Sequence, residues 1–401
     1  MYTNQIFEII LNLGDSWRVT TTQVNITTLE VDIYIDFIGD QAPSPDLADL
    51  YPIYDRRKTR RWRHLDTLQY KTFLHCRVPR VKTPSGVQTI SVPWASDYQR
   101  HTYLFERLVI DLLKATKNQT ATSKLLRTGF NVINRIIHRS VERGLALRDS
   151  KLTLRNYSID EKSFRKGHSY VSVLSSPLAG VVVDVVENRD KKAVKKLLSQ
   201  AISTFDTVET ISMDMWPAYI NTVKEMLPKA HIIHDRFHLV KYLNDGIDKV
   251  RKREVKVHEE LRNTKYVLLK NKANLKDKQH IKFKSIQDAN YEVSRAWRIR
   301  EDFRAIFGSD NMTDAVGMLI KWGSSVIHSK IEEMLEVAKV FNRHLSGVCN
   351  ALVSTFSNAM AERLNGKIQE VKSIARGYRT FDKFRSAILF FHGGLNLYPQ
   401  H

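Results

Sequence analysis

Residues 169–188, SYVSVLSSPLAGVVVDVVEN, contain two valine-rich runs that are separated by the turn-forming tripeptide PLA. Such runs predict a β-hairpin. Upstream, TLRNYSIDE at residues 153–161 predicts a strand, and downstream DKKAVKKLLSQAIST at residues 190–204 predicts a helix that Asp190 starts. The chain then continues with a predicted strand, a helix with Pro217 in its first turn, and another strand, in VETISMD, PAYINTVKEML and HIIHD.

The order of these elements predicts the fold class. Three strands followed by helix, strand, helix and strand are typical of ribonuclease-H-like nucleases, in which an antiparallel trio is extended by parallel strands through helical crossovers. We therefore predict an α/β fold with a ribonuclease-H-like mixed sheet that begins in residues 151–240 and is completed by residues 346–401. In this fold the first and fourth strands lie side by side.

The remaining segments differ in pattern. Residues 241–345 are helical and strongly charged, and their length predicts an inserted helical subdomain rather than a loop. Residues 1–100 contain short β-branched runs, which predict a strand-rich N-terminal region. Residues 101–150 return to helical periodicity.

A helix-turn-helix is predicted within residues 101–150. In NQTATSKLLRTGFNVINRIIHRSVERGL the first helix is expected at residues 120–126, the turn at residues 127–130 with Gly129 at positive φ, and the second helix from Asn131 to about Arg143. Asn131, Asn134, Arg135 and His138 are side-chain types that reach base edges or phosphates. This pattern favours DNA binding, and a plain helical hairpin is the alternative.

Charge and cysteine content narrow the function classes. The 401 residues carry 63 basic and 43 acidic side chains, a net charge of +20 that favours a polyanion such as nucleic acid, although a soluble basic enzyme has the same signature. Cys76 and Cys349 lie far apart without nearby ligands, which argues against a disulfide framework or a zinc knuckle. We expect a cytoplasmic protein, since no signal peptide or membrane-spanning run is evident.

A basic cluster, YDRRKTRRWRHLD, occupies residues 54–66. Its arginines Arg60, Arg61 and Arg63 flank Trp62, and such a cluster could lie along the phosphate backbone of DNA. An ordinary solvated basic loop fits the same residues.

The stretch STFSNAMAERLNGKIQEVKSIARGYRTF, residues 354–381, predicts a helix with two stripes. The apolar stripe, expected to be buried, is Ala361, Leu364, Ile368, Val371 and Ala375. The polar stripe is Asn358, Glu362, Asn365, Gln369 and Lys372. Glu362 therefore lies at the border of the core, where a carboxylate can face a cleft; a solvated surface glutamate is the commoner alternative.

Two aspartates at strand positions complete a candidate site. Asp160 is expected to end the first strand and Asp214 the fourth, so the two carboxylates would meet, and a late helix would supply Glu362. Three hard oxygen donors are typical of a Mg²⁺ or Mn²⁺ site, and two such ions support phosphodiester chemistry. Asp235 also ends a strand and is the main competitor of Asp214.

His234, Asp235 and His238 form an alternative metal site of the transition-metal type. Polar capping at a strand-to-helix corner is the interpretation that we favour for them.

Three blocks resemble the signature blocks of the ISL-three-type bacterial insertion-sequence transposases, which belong to the DDE class: SIDEKSFRKGHSY, SMDMWPAYINTVKEMLPKAHIIHDRFHLVK and SNAMAERLNGKIQEVKSIARGYRTFDKFR. The segments RRWRHLD, VPRV, VPWA and FERLV resemble the N-terminal half of that family, and HGGLNLYP resembles its usual end. The resemblance covers nearly the whole chain.

The resemblance implies that Asp160, Asp214 and Glu362 are the catalytic triad and the ligands of two Mg²⁺ or Mn²⁺ ions, and it favours Asp214 over Asp235. It implies cleavage of double-stranded DNA at the inverted-repeat ends of an element and joining of the 3′-hydroxyls to target DNA. It further implies a bacterial protein at the nucleoid that acts as a homodimer or higher oligomer. A catalytically inactive DNA-binding copy or regulator is the runner-up function, and a structure-specific nuclease is a third.

The chain departs from the family in one respect. Relatives commonly carry cysteine pairs around the RRWRHLD segment that bind zinc, whereas APSPD and KTPSGV stand there in this chain. We therefore expect no zinc, and an N-terminal region 1–100 that is held together by apolar residues such as Trp62, Leu65, Val78 and Trp94. Basic residues that follow Glu362 are expected to hold DNA phosphates; they are Arg363, Lys372, Arg376, Arg379 and Arg385, and Lys367 lies near the same helix.

Overall fold

The computed structural model describes residues 3–44, 49–148, 154–165, 169–204, 208–270, 274–354 and 358–400, without the side chains of residues 3, 201–204 and 358–362. The chain forms two compact units. The first lies within residues 1–148, with residues 374–376 and 395–401. The second lies within residues 149–373 and 377–394.

The N-terminal part of the first unit is built from strands, as its β-branched runs predict. The elements are helix α1 (Thr3–Leu11) and strands β1 (Trp17–Asn25), β2 (Glu30–Phe37), β3 (Gln41–Pro43), β4 (Leu50–Arg56), β5 (Arg60–Arg63), β6 (Lys71–Cys76), β7 (Pro79–Thr83) and β8 (Gly86–Thr89). One sheet has the strand order β1-β2-β6-β5 and the other has the order β3-β4-β7-β8.

An apolar core holds these strands together. Trp62, Val78 and Trp94 are buried in it, while Leu65, the fourth residue expected there, is only half-buried. The ring centroids of Trp62 and Trp94 are 5.7 Å apart in an edge-to-face arrangement. In the KTPSGV segment, the Thr83 hydroxyl lies 2.9 Å from that of Ser85.

Three helices follow in the first unit, α2 (Tyr103–Thr116), α3 (Gln119–Leu125) and α4 (Phe130–Ala146). The Asn118 side chain caps α3 by accepting a hydrogen bond from the Ala121 N–H at 2.9 Å. The prediction of positive φ at Gly129 is wrong, because Gly129 has φ −72° and acts as the N-cap of α4. Arg127 takes the left-handed conformation instead, with φ 49°.

The second unit contains a five-stranded sheet. Its strands β9 (Asn156–Arg165), β10 (Ser169–Ser176) and β11 (Val181–Glu187) pair antiparallel, whereas β12 (Thr210–Met213) and β13 (His231–His234) extend the sheet in parallel. The strand order is β11-β10-β9-β12-β13. The ribonuclease-H-like topology predicted from the sequence is therefore confirmed. One expectation is wrong: β9 continues past Asp160 to Arg165, so Asp160 lies within the strand rather than at its end.

The crossover helices are α5 (Lys191–Thr204) and α6 (Pro217–Met226). The Asp190 carboxylate accepts a hydrogen bond from the Ala193 N–H at 2.8 Å, which confirms Asp190 as the residue that starts α5. Pro217 is the first residue of α6, where its missing N–H costs no hydrogen bond.

Residues after β13 are helical, as predicted. The helices are α7 (Arg236–Glu254), α8 (Lys265–Leu269), α9 (Asp277–Asp288), α10 (Glu292–Ala305), α11 (Met312–Ser329), α12 (Glu332–Arg343), α13 (Leu345–Val353), α14 (Asn358–Ile374) and α15 (Phe381–His392). Throughout the described ranges, no helix is long and apolar enough to cross a bilayer.

Helix α14 is the late helix predicted to approach the sheet. Leu364, Ile368 and Val371 of its apolar stripe are buried. Ala375 does not belong to that stripe, because the helix ends at Ile374 and Ala375 is exposed. The side chain of Ala361 lies outside the described residues.

Candidate active site

Asp160 lies within β9, while Asp214 and Asp235 directly follow the neighbouring parallel strands β12 and β13. Ser212 of β12 pairs with Ser158 of β9, and the same register two residues further along sets Asp214 level with Asp160. β13 pairs in parallel on the other side of β12, which sets Asp235 level with Asp214. The strand order thus brings together the two predicted aspartates and their competitor.

The Asp160 carboxylate is held from both sides. Its Oδ1 accepts a hydrogen bond from the Glu161 N–H at 2.7 Å. Its Oδ2 lies 2.7 Å from the Lys162 ammonium and accepts a hydrogen bond from the Asn365 amide at 2.6 Å. Asp160 is therefore a fixed anion that already attracts a cation, and Asn365 joins α14 to β9 at this point.

Asp214 has a similar local geometry. Its Oδ1 accepts a hydrogen bond from the Met215 N–H at 2.6 Å, and its Oδ2 lies 3.9 Å from His238 Nε2. His238 Nδ1 lies 3.5 Å from the Asp235 carboxylate. His238 is thus placed between two of the aligned carboxylates.

The protonation of His238 responds to these charges. Burial lowers the pKa of His238, but the nearby Asp235 carboxylate and the negative charges of Asp214 and Asp160 outweigh burial and raise the pKa above its usual value. The raised pKa favours the protonated imidazole, whose charge would oppose those of the aspartates as the Lys162 ammonium does at Asp160. The site therefore contains anions whose own neighbours include protein cations.

Asp235 also caps a helix. It is the N-cap of α7, and its carboxylate accepts a hydrogen bond from the Phe237 N–H at 2.8 Å. This is the capping role that we favoured from the sequence. Asp235 is thus both level with Asp214 and engaged in capping.

His234 does not join His238. It is buried, and its imidazole lies against Gly347 of α13, where the Cβ of a larger residue would stand 2.5 Å from its Cδ2. Burial lowers the pKa of His234 to about 4. Among the described side chains, no group of three or more His, Cys, Asp and Glu has the geometry of a metal site. The alternative His234, Asp235 and His238 site is therefore not assembled.

Glu362 lies in α14, but its side chain is outside the described residues. Its backbone position is three residues before Asn365, on the helix that carries the amide bonded to Asp160. Asn365 thus supports the predicted approach of the polar stripe to β9, while the role of Glu362 stays a prediction.

The basic residues that follow Glu362 have different surroundings. Lys372 donates a hydrogen bond to the Ser163 carbonyl of β9 at 2.7 Å, and the Arg165 guanidinium donates one to the Arg379 carbonyl. The side chains of Arg363, Arg376 and Arg379 are exposed. Lys372 therefore helps to attach α14 to the sheet, and the three arginines are accessible to a polyanion.

Arg385 has another role than the phosphate contact expected from the sequence. Its guanidinium forms two hydrogen bonds with the Asp184 carboxylate of β11, at 2.7 and 3.0 Å. Asp184 is buried. Arg385 therefore neutralises a buried charge inside the second unit.

The N-terminal arginines of β5 are partly used within their own unit. Arg63 is buried and its guanidinium pairs with Asp66, so this guanidinium has no free face for DNA, contrary to the prediction. Arg61 pairs with Glu30 at 2.9 Å. Arg60 donates a hydrogen bond to the Gln99 carbonyl at 3.1 Å.

The second helix of the helix-turn-helix presents a polar face. Asn131, Arg135 and His138 are exposed and Asn134 is half-buried. Ile133, Ile136 and Ile137 bury the opposite face. Side chains near the N-terminal end of such a helix are the ones that reach base edges in DNA complexes.

Lys162 is a member of this site that the sequence pattern did not lead us to predict. It is two residues after Asp160 on the same strand, and strand alternation places residues two apart on one face. The two-residue spacing between Asp160 and Lys162 could therefore have predicted that Lys162 lies beside Asp160. The same alternation correctly separates Glu161, which pairs with Arg189 at 2.8 Å.

Comparisons with known proteins agree with the geometry. A family model described as a transposase, of the DDE type and family ISL3, matches residues 157–388. A second model, described as the helix-turn-helix domain of transposase family ISL3, matches residues 90–141. These spans contain the aligned aspartates and helices α2 to α4 respectively.

Curated relatives include two insertion-sequence transposases. The transposase for insertion sequence element IS1557 of Mycobacterium tuberculosis is 27% identical over 359 residues, covering 82% of this chain and 80% of the relative. The transposase for insertion sequence element IS1001 of Bordetella parapertussis is 23% identical over 339 residues, covering 81% of this chain and 82% of the relative.

Solved structures with similarity include the Drosophila P element transposase strand transfer complex. That similarity has a TM-score of 0.37 and 13% identity, and covers 75% of this chain and 94% of the other. The catalytic core domain of BIV integrase is similar with a TM-score of 0.18 and 13% identity, over 34% of this chain and 98% of the other.

Proposed function

The chain belongs to transposase family ISL3, and we propose that it cleaves DNA at the inverted-repeat ends of its insertion sequence and joins the freed 3′-hydroxyls to target DNA. In this proposal Asp160, Asp214 and Glu362 are the catalytic carboxylates. The observation that carries it is the register of β9 and β12, which sets Asp160 and Asp214 level on adjacent strands.

The donor set suits magnesium or manganese. Asp160 and Asp214 offer hard carboxylate oxygens, and the Lys162 ammonium lies 2.7 Å from Asp160, where that carboxylate attracts positive charge. Asp160, Asp214 and Glu362 would hold two divalent ions. When bound, such ions supply activation of a water or 3′-hydroxyl and stabilisation of the leaving oxygen.

The neighbouring residues keep the carboxylates in place. Backbone N–H groups fix one oxygen of Asp160 and one of Asp214, so a divalent ion would approach each carboxylate at its second oxygen, which at Asp160 now lies 2.7 Å from the Lys162 ammonium. Asn365 orients the second oxygen of Asp160 from α14. Preorganised ligands of this kind reduce the reorganisation that the reaction requires.

Double-stranded DNA is the proposed partner at two places. Asn131, Asn134 and Arg135 of α4 would read the element end in the major groove. The exposed side chains of Arg363, Arg376 and Arg379 would contact phosphates without reading sequence. Two element ends must be brought together for joining, so we propose a homodimer or a higher oligomer as the active species.

Strand cleavage and joining on a labelled duplex that carries the element end tests this function. We expect the native chain to nick and join with Mg²⁺ or Mn²⁺, whereas Glu362→Gln binds the same duplex without cutting it, because the amide is a much weaker metal ligand. If both proteins bind and neither cuts with any divalent ion, the chain is an inactive DNA-binding copy or regulator. Cutting without joining would instead identify a structure-specific nuclease.

The DNA-reading face of α4 gives a separate expectation. Asn131→Ala together with Arg135→Ala should reduce the preference for the element end over an unrelated duplex by about tenfold or more, because each lost base contact costs about 1–3 kcal/mol. Competition binding measures the preference. Glu142→Ala, further along the same helix, is the control that should preserve it. An unchanged preference in the double variant would place sequence recognition elsewhere.

A further inference from the structure

The inserted helices differ in charge along their length. Around α8 and α9 lysines outnumber acidic residues, whereas α11 and α12 are nearly balanced. The cations of the described residues 255–288 are Lys256, Arg262, Lys265, Lys270, Lys276, Lys278, Lys282 and Lys284, and the acidic residues are Glu259, Glu260, Asp277 and Asp288. This positive charge is therefore concentrated in one part of the insertion.

Much of the charge is not neutralised within the protein. Arg262 pairs with Glu259 at 3.0 Å, and Lys265 lies 3.7 Å from the Asp248 carboxylate. Across the described part of the chain, no carboxylate lies within ion-pair distance of Lys276, Lys278 or Lys284. Exposed lysines without partners attract a polyanion.

Helix α9 presents its lysines outward. Phe283 and Ile286 bury the inner face, with the Phe283 ring centroid 4.8 Å from that of Trp297. We define the α9 face as the exposed basic and apolar side chains on the other side of this helix, namely Lys278, Ile281, Lys282 and Lys284, together with the N-cap residue Lys276. Two exposed acids, Asp277 and Asp288, stand at the two ends of the helix and partly offset this charge. Because the inner face of α9 is packed against the protein, the helix presents its outward lysines from a fixed position.

The α9 face also carries exposed apolar surface. Ile281 lies among its lysines and is 74% exposed, and Tyr266 on the preceding helix α8 is 71% exposed. Exposed residues of this size next to positive charge are common where a protein contacts the sugars and phosphates of nucleic acid.

We propose that the α9 face is a second DNA-contacting surface, which binds the phosphate backbone of a duplex without reading its sequence. The proposal rests on the transposase function, since that function supplies the DNA. Lysine contacts phosphate as a compact point charge, whereas arginine is the residue with a rigid fork for base edges. The nearby Arg262 is already paired, so sequence reading is left to α4.

The dimensions of α9 suit such a contact. Its 12 residues span about 18 Å along the helix axis, which corresponds to roughly five base-pair steps of B-DNA. Each phosphate that a lysine neutralises releases counterions, so the contact is visible in the dependence of binding on salt. We therefore expect this contact to add a salt-dependent contribution to DNA affinity that is equal for duplexes of any sequence.

Binding of the full chain to the element end and to an unrelated duplex, in EDTA over a range of salt concentrations, tests the proposal. The variant carries Lys276→Gln, Lys278→Gln, Lys282→Gln and Lys284→Gln. We expect the slope of log affinity against log salt to become shallower by about 3 to 4, since each phosphate contact contributes about 0.9. The affinity should fall by the same factor on both duplexes, so the preference for the element end stays unchanged.

The control variant replaces four other exposed lysines, Lys192, Lys196, Lys229 and Lys321, by glutamine. It has the same net charge as the α9 variant and is expected to keep at least most of the native slope. Equal slopes in the native chain and the α9 variant would overturn the proposal, as would equal losses in both variants. Loss of binding to anionic phosphatidylserine vesicles with an unchanged DNA slope would identify a membrane surface instead and would also overturn it.

Failure of this proposal is separable from failure of the transposase function. Binding in EDTA does not depend on cleavage, so a chain that never cuts DNA can still display the α9 contribution to the slope. Conversely, a chain that cuts and joins through its carboxylates can lack that contribution. Thermal unfolding of both variants verifies that each is folded.

Discussion

Asp214→Asn is expected to abolish strand cleavage and joining while the affinity for the element end stays within about twofold of native, because the proposed DNA contacts of α4 are unchanged. The substitution removes a carboxylate that stands level with Asp160 and replaces it by a neutral amide of the same shape. We expect cleavage to slow by about a thousandfold or more, since on the proposed mechanism the variant loses a ligand of the divalent ions and the charge stabilisation that those ions would supply. Single-turnover cleavage of a labelled end measures the effect.

Asp235→Asn is the matched control for this experiment. Asp235 directly follows β13, level with Asp214, and caps α7. Asparagine is as good an N-cap as aspartate, so the helix and its stability should be preserved. If Asp235 only caps the helix and pairs with His238, the variant keeps substantial cleavage activity. If Asp214→Asn were fully active and Asp235→Asn inactive, Asp235 rather than Asp214 would be the catalytic carboxylate.

The sheet was predictable because its signals are local. Valine-rich runs define β10 and β11, Asp190 caps α5 and Pro217 opens α6, and all of these act within a few residues. The end of β9 was not predictable in this way. Pairing with β10 extends β9 to Arg165, opposite Ser169, and pairing is a tertiary effect that residue propensity does not report.

In the turn before α4, two local preferences of glycine compete: a positive φ angle within the turn and the N-cap position of the helix. Glycine is the usual residue at positive φ, which led to the prediction for Gly129. Glycine is also accepted at an N-cap, and the structure uses Gly129 there while Arg127 adopts the left-handed conformation. The sequence alone did not decide between the two positions.

The positions of the acidic residues of the candidate site could be predicted from the sequence, whereas those of its basic residues were harder to predict. Strand order places Asp160 beside Asp214, so a correct topology brings the acids together. The destination of a basic side chain depends on acids far away in sequence. Arg63 and Arg385 both looked available to DNA, yet the fold brings each to a carboxylate. The amino-acid composition gives the number of charged side chains, but not which of them are buried in ion pairs.

Arg385→Met is expected to destabilise the second unit by about 3 kcal/mol, because it leaves the buried Asp184 carboxylate without a partner charge. The side chain of Asp184 is 5% exposed and that of Arg385 is 27% exposed, so water can only partly replace the guanidinium. For a unit of this size we expect the midpoint of thermal unfolding to fall by roughly 6 to 12 °C. Calorimetry of the full chain measures it.

Two further variants separate a buried ion pair from a DNA contact. Arg379→Met removes an exposed cation and should change stability by less than about 0.5 kcal/mol. Asp184→Asn combined with Arg385→Met removes both charges, and it should recover much of the lost stability because no uncompensated buried charge remains. If Arg385→Met instead unfolds at the native temperature and loses affinity for DNA, Arg385 contacts phosphate, and its pairing with Asp184 contributes little to folding.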